Sequence, residues 1–294
     1  MQMTSDSDKI TRDYFDSLLL ETRYVDSAVP STSFTLFGES FDTPIMTAAL
    51  SHLGNTAADG MVTYARAAAL CHAVHWVGMG DESELESILA TGARTVKIIK
   101  PHADNAVVFR KIAHAVKAGC FAVGMDVDHS FNAYGGYDSV FGLPMKAKST
   151  EELAEFVAAA GIPFVAKGIL SARDAEKCLK AGCAALVVSH HHGMMQYSVP
   201  PLMVLPEILS ATGGSVPVFV DCGIESGMDA YKCLALGACA VSVGRHLMPL
   251  LKKGPEAVAA RMAEMTAELA GVMARTGVRS LAEMDPSVIH RRAF

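Results

Sequence analysis

Several features that would each assign a function are missing from this 294-residue chain. No stretch of about 20 apolar residues runs without a charge or a histidine, which argues against a membrane-spanning helix. The opening residues, MQMTSDSDKITRD, lack the apolar core of an export signal, so the expected location is cytoplasmic. Seven cysteines, at 71, 120, 178, 183, 222, 233 and 239, form no C-x-x-C pair, and read as reduced core thiols, not as a disulfide or zinc framework. Positive charge is not in excess: 25 Lys and Arg face 31 Asp and Glu, a net charge of -6. Nucleic acid and anionic membranes are therefore poor partners, and a small-molecule substrate is the better one. No segment rich in Pro, Gly or Ser divides the chain, so the expectation is one folded domain after a short N-terminal extension.

What is present is a composition for a large core, with 51% hydrophobic and 19% charged residues. Eight short apolar runs stand out: 43–49 (TPIMTAA), 73–79 (AVHWVGM), 95–100 (TVKIIK), 122–128 (AVGMDVD), 163–168 (PFVAKG), 185–190 (ALVVSH), 216–223 (VPVFVDCG) and 240–245 (AVSVGR). Amphipathic helix patterns separate them, such as DNAVVFRKIAHAVKAG and the Ser-x-x-Glu-capped STEELAEFVAAAG. Regular alternation of strand and helix implies parallel β/α units. Strands apolar throughout, with no G-x-G-x-x-G after the first, point to an α/β fold, a closed (β/α)8 TIM barrel over 43–294, and not to an open sheet. Residues 1–42 form the extension, with SFTLFGESF as a hairpin turning at Gly38 and Glu39.

Barrel enzymes build their sites at the C-terminal ends of the strands. The polar residues ending the runs are Thr47, Lys97, Lys100, Asp126, Asp128, Lys167, Ser189 to His192, Asp221 and Arg245. VDCGIESG and SVGR, at strands seven and eight, fall where barrels often bind a ligand phosphate through backbone N–H groups.

PFVAKGILSARDAEKCLKAGCAALVVSHHHG, VFVDCGIESGMDAYKCLALGACAVSVGR and MARTGVRSLAEM together resemble the FMN-dependent α-hydroxy acid oxidases and dehydrogenases, a family that includes glycolate oxidase, lactate oxidase and the flavin domain of flavocytochrome b2. The similarity runs from about Arg23 to Glu283. It implies FMN as cofactor and a homo-oligomer, a tetramer or octamer. It makes His191 the base that takes the substrate hydroxyl proton while the carbon-bound hydrogen goes to flavin N5. Asp128 would pair with that histidine. Lys167 would sit near flavin N1, where a fixed cation suits the charge of reduced flavin. The same resemblance assigns Thr47, Ala48, Ala49, Gly78, Asp126, Ser189, Asp221, Gly223, Gly244 and Arg245 to the cofactor.

The chain departs from the family's pattern where substrate and phosphate are held. The carboxylate-binding arginine after the catalytic histidine falls on Met194, and the loop HSFNAYGGYDSVFG offers no second arginine. A methionine cannot supply the bidentate charge of a guanidinium. Lys97, Lys100 and His129 are the alternative substrate contacts. Glu225 replaces an arginine near the phosphate, which it would repel if it points inward. Two other readings stay open: a metal enzyme using the His190–His192 region, and a flavin barrel without net oxidation, similar to type 2 isopentenyl diphosphate isomerases. Against the metal, adjacent strand residues point to opposite faces, so three successive histidines do not easily meet on one ion. No metal is expected, and these residues do not specify the electron acceptor.

Overall fold

The computed structural model describes residues 6–292. All eight apolar runs become strands of one sheet: β1 (Ile45–Thr47), β2 (His75–Val77), β3 (Thr95–Ile99), β4 (Ala122–Asp126), β5 (Phe164–Ile169), β6 (Ala185–Val188), β7 (Val218–Val220) and β8 (Ala240–Val243). The order is β1-β8-β7-β6-β5-β4-β3-β2, and each registered pair is parallel. Between β1 and β2 the ring closes through a parallel bridge of Leu50 to Val77 and a bond from Gly78 N–H to the Leu50 carbonyl of 2.8 Å. This is the α/β barrel that the alternation predicts.

Most strands are shorter than the runs that announce them, and the missing residues lie mainly at the C-terminal side. There the chain leaves the sheet to turn into a helix; Lys100, Asp128, Ser189 to His192, Asp221 and Arg245 sit on this departing backbone, while Thr47, Lys97, Asp126 and Lys167 lie within the strands. The helices are α1 (Asp6–Ser17), α2 (Gly60–Leu70), α3 (Glu82–Leu89), α4 (Asn105–Lys117), α5 (Thr150–Ala160), α6 (Ala172–Lys180), α7 (Pro201–Thr212), α8 (Gly227–Ala235) and α9 (Pro255–Arg275). Local chemistry sets their ends. Ser149 and Glu152 form a reciprocal capping box on α5, and Gly161 stops it in the left-handed conformation.

Residues alternating along the strands pack into two cores. One lies between sheet and helices. The other fills the barrel, where Trp76 meets Phe219 edge to face at 5.7 Å among Met46, Ile98, Val165 and Val187. Phe34–Leu36 and Glu39–Phe41 pair as the hairpin, whose Phe34, Leu36 and Phe41 join this inner core. Its turn residues are Phe37 and Gly38, both at positive φ, one step earlier than the sequence suggests. A two-residue turn with both φ positive matches the twist of the strands it joins. Leu18–Leu20 pairs with Ile289–Arg291, tying together the two ends of the described chain. Helix α1 lies over the C-terminal ends of β6, β7 and β8, so the extension contributes to the rim.

Candidate active site

Four buried charges form the floor of the rim. Lys167, from β5, has Nζ 3.1 Å from Asp126 Oδ1 and 3.6 Å from Asp221 Oδ2. Lys100 Nζ donates to Asp126 Oδ2 at 2.8 Å. Burial by itself would favour the neutral lysine, but the carboxylates of Asp126, Asp221 and Asp128 hold the Lys167 ammonium well above its usual range. Burial likewise opposes the Asp126 charge, and Lys167, Lys100 and His191 overcome it and push the carboxyl far down. Among the described residues, Asp126 Oδ1 has no aligned hydrogen-bond donor, so a buried acceptor is left open beside the ammonium.

Above this floor stands His191. Both oxygens of Asp128 lie 3.1 Å from its Nδ1. Nδ1 therefore carries the proton and donates, leaving the Nε2 lone pair for a base. Asp128 holds its position because Gly168 follows Lys167: a Cβ there would fall 2.3 Å from Asp128 Cγ, and the backbone turns at φ +93. Only glycine meets both demands without strain. The backbone N–H of His191 donates to Ser189 Oγ at 3.1 Å.

The three histidines part company for a reason other than strand pleat. Strand β6 ends at Val188, and His191 and His192 both adopt left-handed backbone, at φ 48 and 60. Such a conformation is uncommon for a non-glycine residue, although histidine tolerates it better than most. His190 is buried and faces α1: its Nδ1 accepts from Gly193 N–H at 2.9 Å, so its Nε2–H donates to Thr11 Oγ1 at 2.8 Å. His192 is exposed. Among the described residues, the group with metal-ligand spacing is Asp126, Asp128 and His191, whose ligand atoms lie within 4.8 Å of one another. Asp128 in this group is paired with His191, and Asp126 with Lys100 and Lys167.

A cavity of about 350 Å³ opens beside this cluster, lined in part by Ala48, Ala49, Lys167, His191, Asp221, Gly223, Gly244 and Arg245. Of the other residues assigned to a cofactor, Thr47, Gly78, Asp126 and Ser189 do not line it. Thr47 is buried and bonds His75 Nδ1 at 2.8 Å. The four candidate substrate contacts scatter. Lys97 is buried, gives its ammonium to the Gly78 carbonyl, and is pushed down to about 8 by burial and by Lys111. Lys100 is committed to Asp126, and Met194 is half-exposed with no charge to offer. Only His129 comes near the base, its ring centroid 5.3 Å from that of His191 and its Nδ1 2.8 Å from Asp138.

The donor set suits a flavin. The fixed Lys167 ammonium on the cavity wall answers a ring edge that carries carbonyls. Arg245 and the loop after β7 stand where barrels bind a phosphate. The sequence matches the FMN-dependent dehydrogenase family over residues 3–149 and 138–291. The chain belongs to that family.

L-lactate oxidase of Roseobacter sp. (strain GAI101) is 36% identical over 52% of this chain, a match that spans 42% of that protein. Glycolate oxidase of Spinacia oleracea is 26% identical, with 95% of this chain and 86% of that protein covered. A solved mandelate oxidase variant with (S)-mandelic acid superposes at a TM-score of 0.88 with 26% identity, covering 97% of this chain and 89% of that one. Membership makes the chain an FMN-dependent oxidoreductase that oxidises a hydroxyl-bearing carbon, as in the 2-hydroxy acid oxidases. Membership likewise makes FMN the cofactor.

Sequence reasoning missed four contributors to this rim: Gly168, and Asp8, Thr11 and Arg12 of α1. For Gly168 the signal is its place directly after the strand lysine. The α1 residues carry none, because nothing local ties a polar N-terminal helix to strands some 180 residues away.

Proposed function

We propose that His191, Asp128 and Lys167 are the catalytic residues of this oxidation. The observation that carries the reading is the His191 Nδ1 pairing with both oxygens of Asp128, with the buried Lys167 ammonium alongside. His191 Nε2 takes the substrate hydroxyl proton. Asp128 fixes the tautomer and balances the imidazolium that results. Bound FMN supplies the acceptor for the carbon-bound hydrogen and its two electrons. Lys167 holds positive charge where negative charge collects, in a site too dry to screen it.

The substrate has to be recognised without a guanidinium. His129 is the candidate substrate contact that lies beside the base, and the surrounding rim exposes Phe131, Tyr134, Tyr137, Phe141 and Met195. This supports a hydroxy compound with an apolar flank, its acid or carbonyl end met by His129. We further propose a cytoplasmic homo-oligomer, a tetramer or octamer. No described helix is long and apolar enough to cross a membrane. Light scattering of the purified protein tests the assembly.

The function is tested by FMN titration and then by an anaerobic screen of hydroxy compounds for bleaching of the flavin colour. His191→Ala is expected to bind FMN and lose bleaching. Bleaching at the wild-type rate removes His191 from the base role. The acceptor, whether oxygen, a quinone or a protein, is the one that restores the colour.

A further inference from the structure

The corner that should receive the cofactor's phosphate is already supplied with negative charge by the chain itself. Both terminal nitrogens of Arg245 donate to Asp8 of α1, at 2.8 and 2.9 Å. Arg12, the second guanidinium beside the cavity, is paired with Asp229 at 2.8 Å and donates to the Gly223 carbonyl at 3.2 Å. The backbone donors at the start of α8 are taken as well: Glu225 N–H by Asp229 at 3.1 Å, and Gly227 N–H by Glu268 at 2.6 Å. Glu225 adds a further carboxylate to the lining. Among the described residues, a phosphate entering here meets no free guanidinium.

Of these contacts, the Arg245 pair is the one a phosphate can take over. Asp229 is buried and holds Arg12 and the start of α8 at once, whereas Asp8 holds Arg245 alone among the cations. Asp8 sits in the first turn of α1, and that helix rests directly on the loop after β7. A Cβ on Gly223 would fall 2.8 Å from Thr11 Cγ2. Small polar contacts hold α1 to the rim: Ser7 Oγ to the Met195 carbonyl at 2.9 Å, and Thr11 to His190.

We propose that Asp8 is an intramolecular stand-in for the cofactor phosphate, so that helix α1 and FMN compete for Arg245. The proposal rests on the flavin reading of the cavity and adds to it that the seating of α1 sets the affinity for phosphorylated flavin. A carboxylate and a phosphate present the same paired oxygens to a guanidinium, and one fork cannot serve both fully. FMN therefore has to displace Asp8 and gains little over riboflavin, which lacks the phosphate and leaves the ion pair intact.

The test is titration of flavin-free protein with riboflavin and with FMN, read by quenching of flavin fluorescence, in wild type and in Asp8→Asn. The expected result is FMN binding about tenfold tighter in the variant, the scale of one freed charge-assisted fork, with riboflavin binding within about twofold of wild type. An unchanged ratio of FMN to riboflavin affinity, or weaker FMN binding in the variant, overturns the competition and leaves the flavin reading standing. If neither flavin binds either protein, both fall. Asp8→Ser, which also suits the start of a helix, repeats the test if the asparagine variant does not fold.

Discussion

Replacing Lys167 with methionine removes an ammonium while keeping most of the side-chain volume, and so isolates the worth of the buried charges. At an effective dielectric near 20, unit charges at the observed 3.1 and 3.6 Å attract by about 5 kcal/mol each. Relief from desolvating the ammonium offsets much of this, and removing one partner of a buried pair typically costs about 3–5 kcal/mol. The loss is unequal between the two carboxylates. Asp126 keeps Lys100 at 2.8 Å, whereas Asp221 is left with the neutral Ser189 hydroxyl and Cys222 thiol as donors. Asp221→Asn is therefore expected to recover about 1–2 kcal/mol in the Lys167→Met background, and Asp126→Asn less. Urea unfolding of the flavin-free protein measures this, followed by fluorescence of Trp76, the single tryptophan, buried inside the barrel. Both pKa displacements favour the charged forms, so the pairs stabilise the fold between the ordinary aspartate value of 3.8 and the ordinary lysine value of 10.5. The deficit of the variant is accordingly full at neutral pH and shrinks below 3.8. A wild-type unfolding midpoint for Lys167→Met, or better recovery by Asp126→Asn than by Asp221→Asn, refutes this account.

Other perturbations probe the histidine and its supports. Asp128→Asn keeps an acceptor for His191 Nδ1 but removes the charge that balances the imidazolium, so substrate-driven bleaching should slow about 100-fold with FMN affinity unchanged; an unaltered rate would detach Asp128 from the base. Gly168→Ala pushes a methyl group into Asp128 and strains a positive φ, at a cost of about 1–3 kcal/mol in stability and at least about tenfold in bleaching. Wild-type stability and rate together in that variant would show that Asp128 has room to spare. His75 is fully buried, and burial pushes it down to about 3. Its depressed pKa means that the unfolded chain binds more protons, so stability should fall by about 1.4 kcal/mol per pH unit from 6.5 downward. Equal pH dependence of the urea midpoint in wild type and His75→Gln would assign that slope to other groups.

The barrel was legible because its signals are local. Each strand is a β-branched or apolar run flanked by helix-forming residues, and eight such units close in only a few ways. The longer list of polar residues ending apolar runs, which includes His191, Asp128 and Lys167, is legible for the same reason, whereas the roles of these three are what the family resemblance implies. The apolar runs overstate the strand ends because Ala48 and Ala49 look like strand interior, yet the chain turns there toward the cavity. The histidine triplet shows the same limit: pleat and left-handed turn both separate neighbours, and sequence alone does not choose between them.

The sequence by itself determined which segments pair and which residue types crowd one rim, since apolar periodicity and turn chemistry act over a few residues. The tertiary structure decided what those residues are bonded to. His190 meets Thr11 from 179 residues away, and Arg245 meets Asp8 across 237. Such contacts arise only when the barrel closes and lays α1 across its mouth, and a pairing created by closure leaves no trace in the local pattern of either partner.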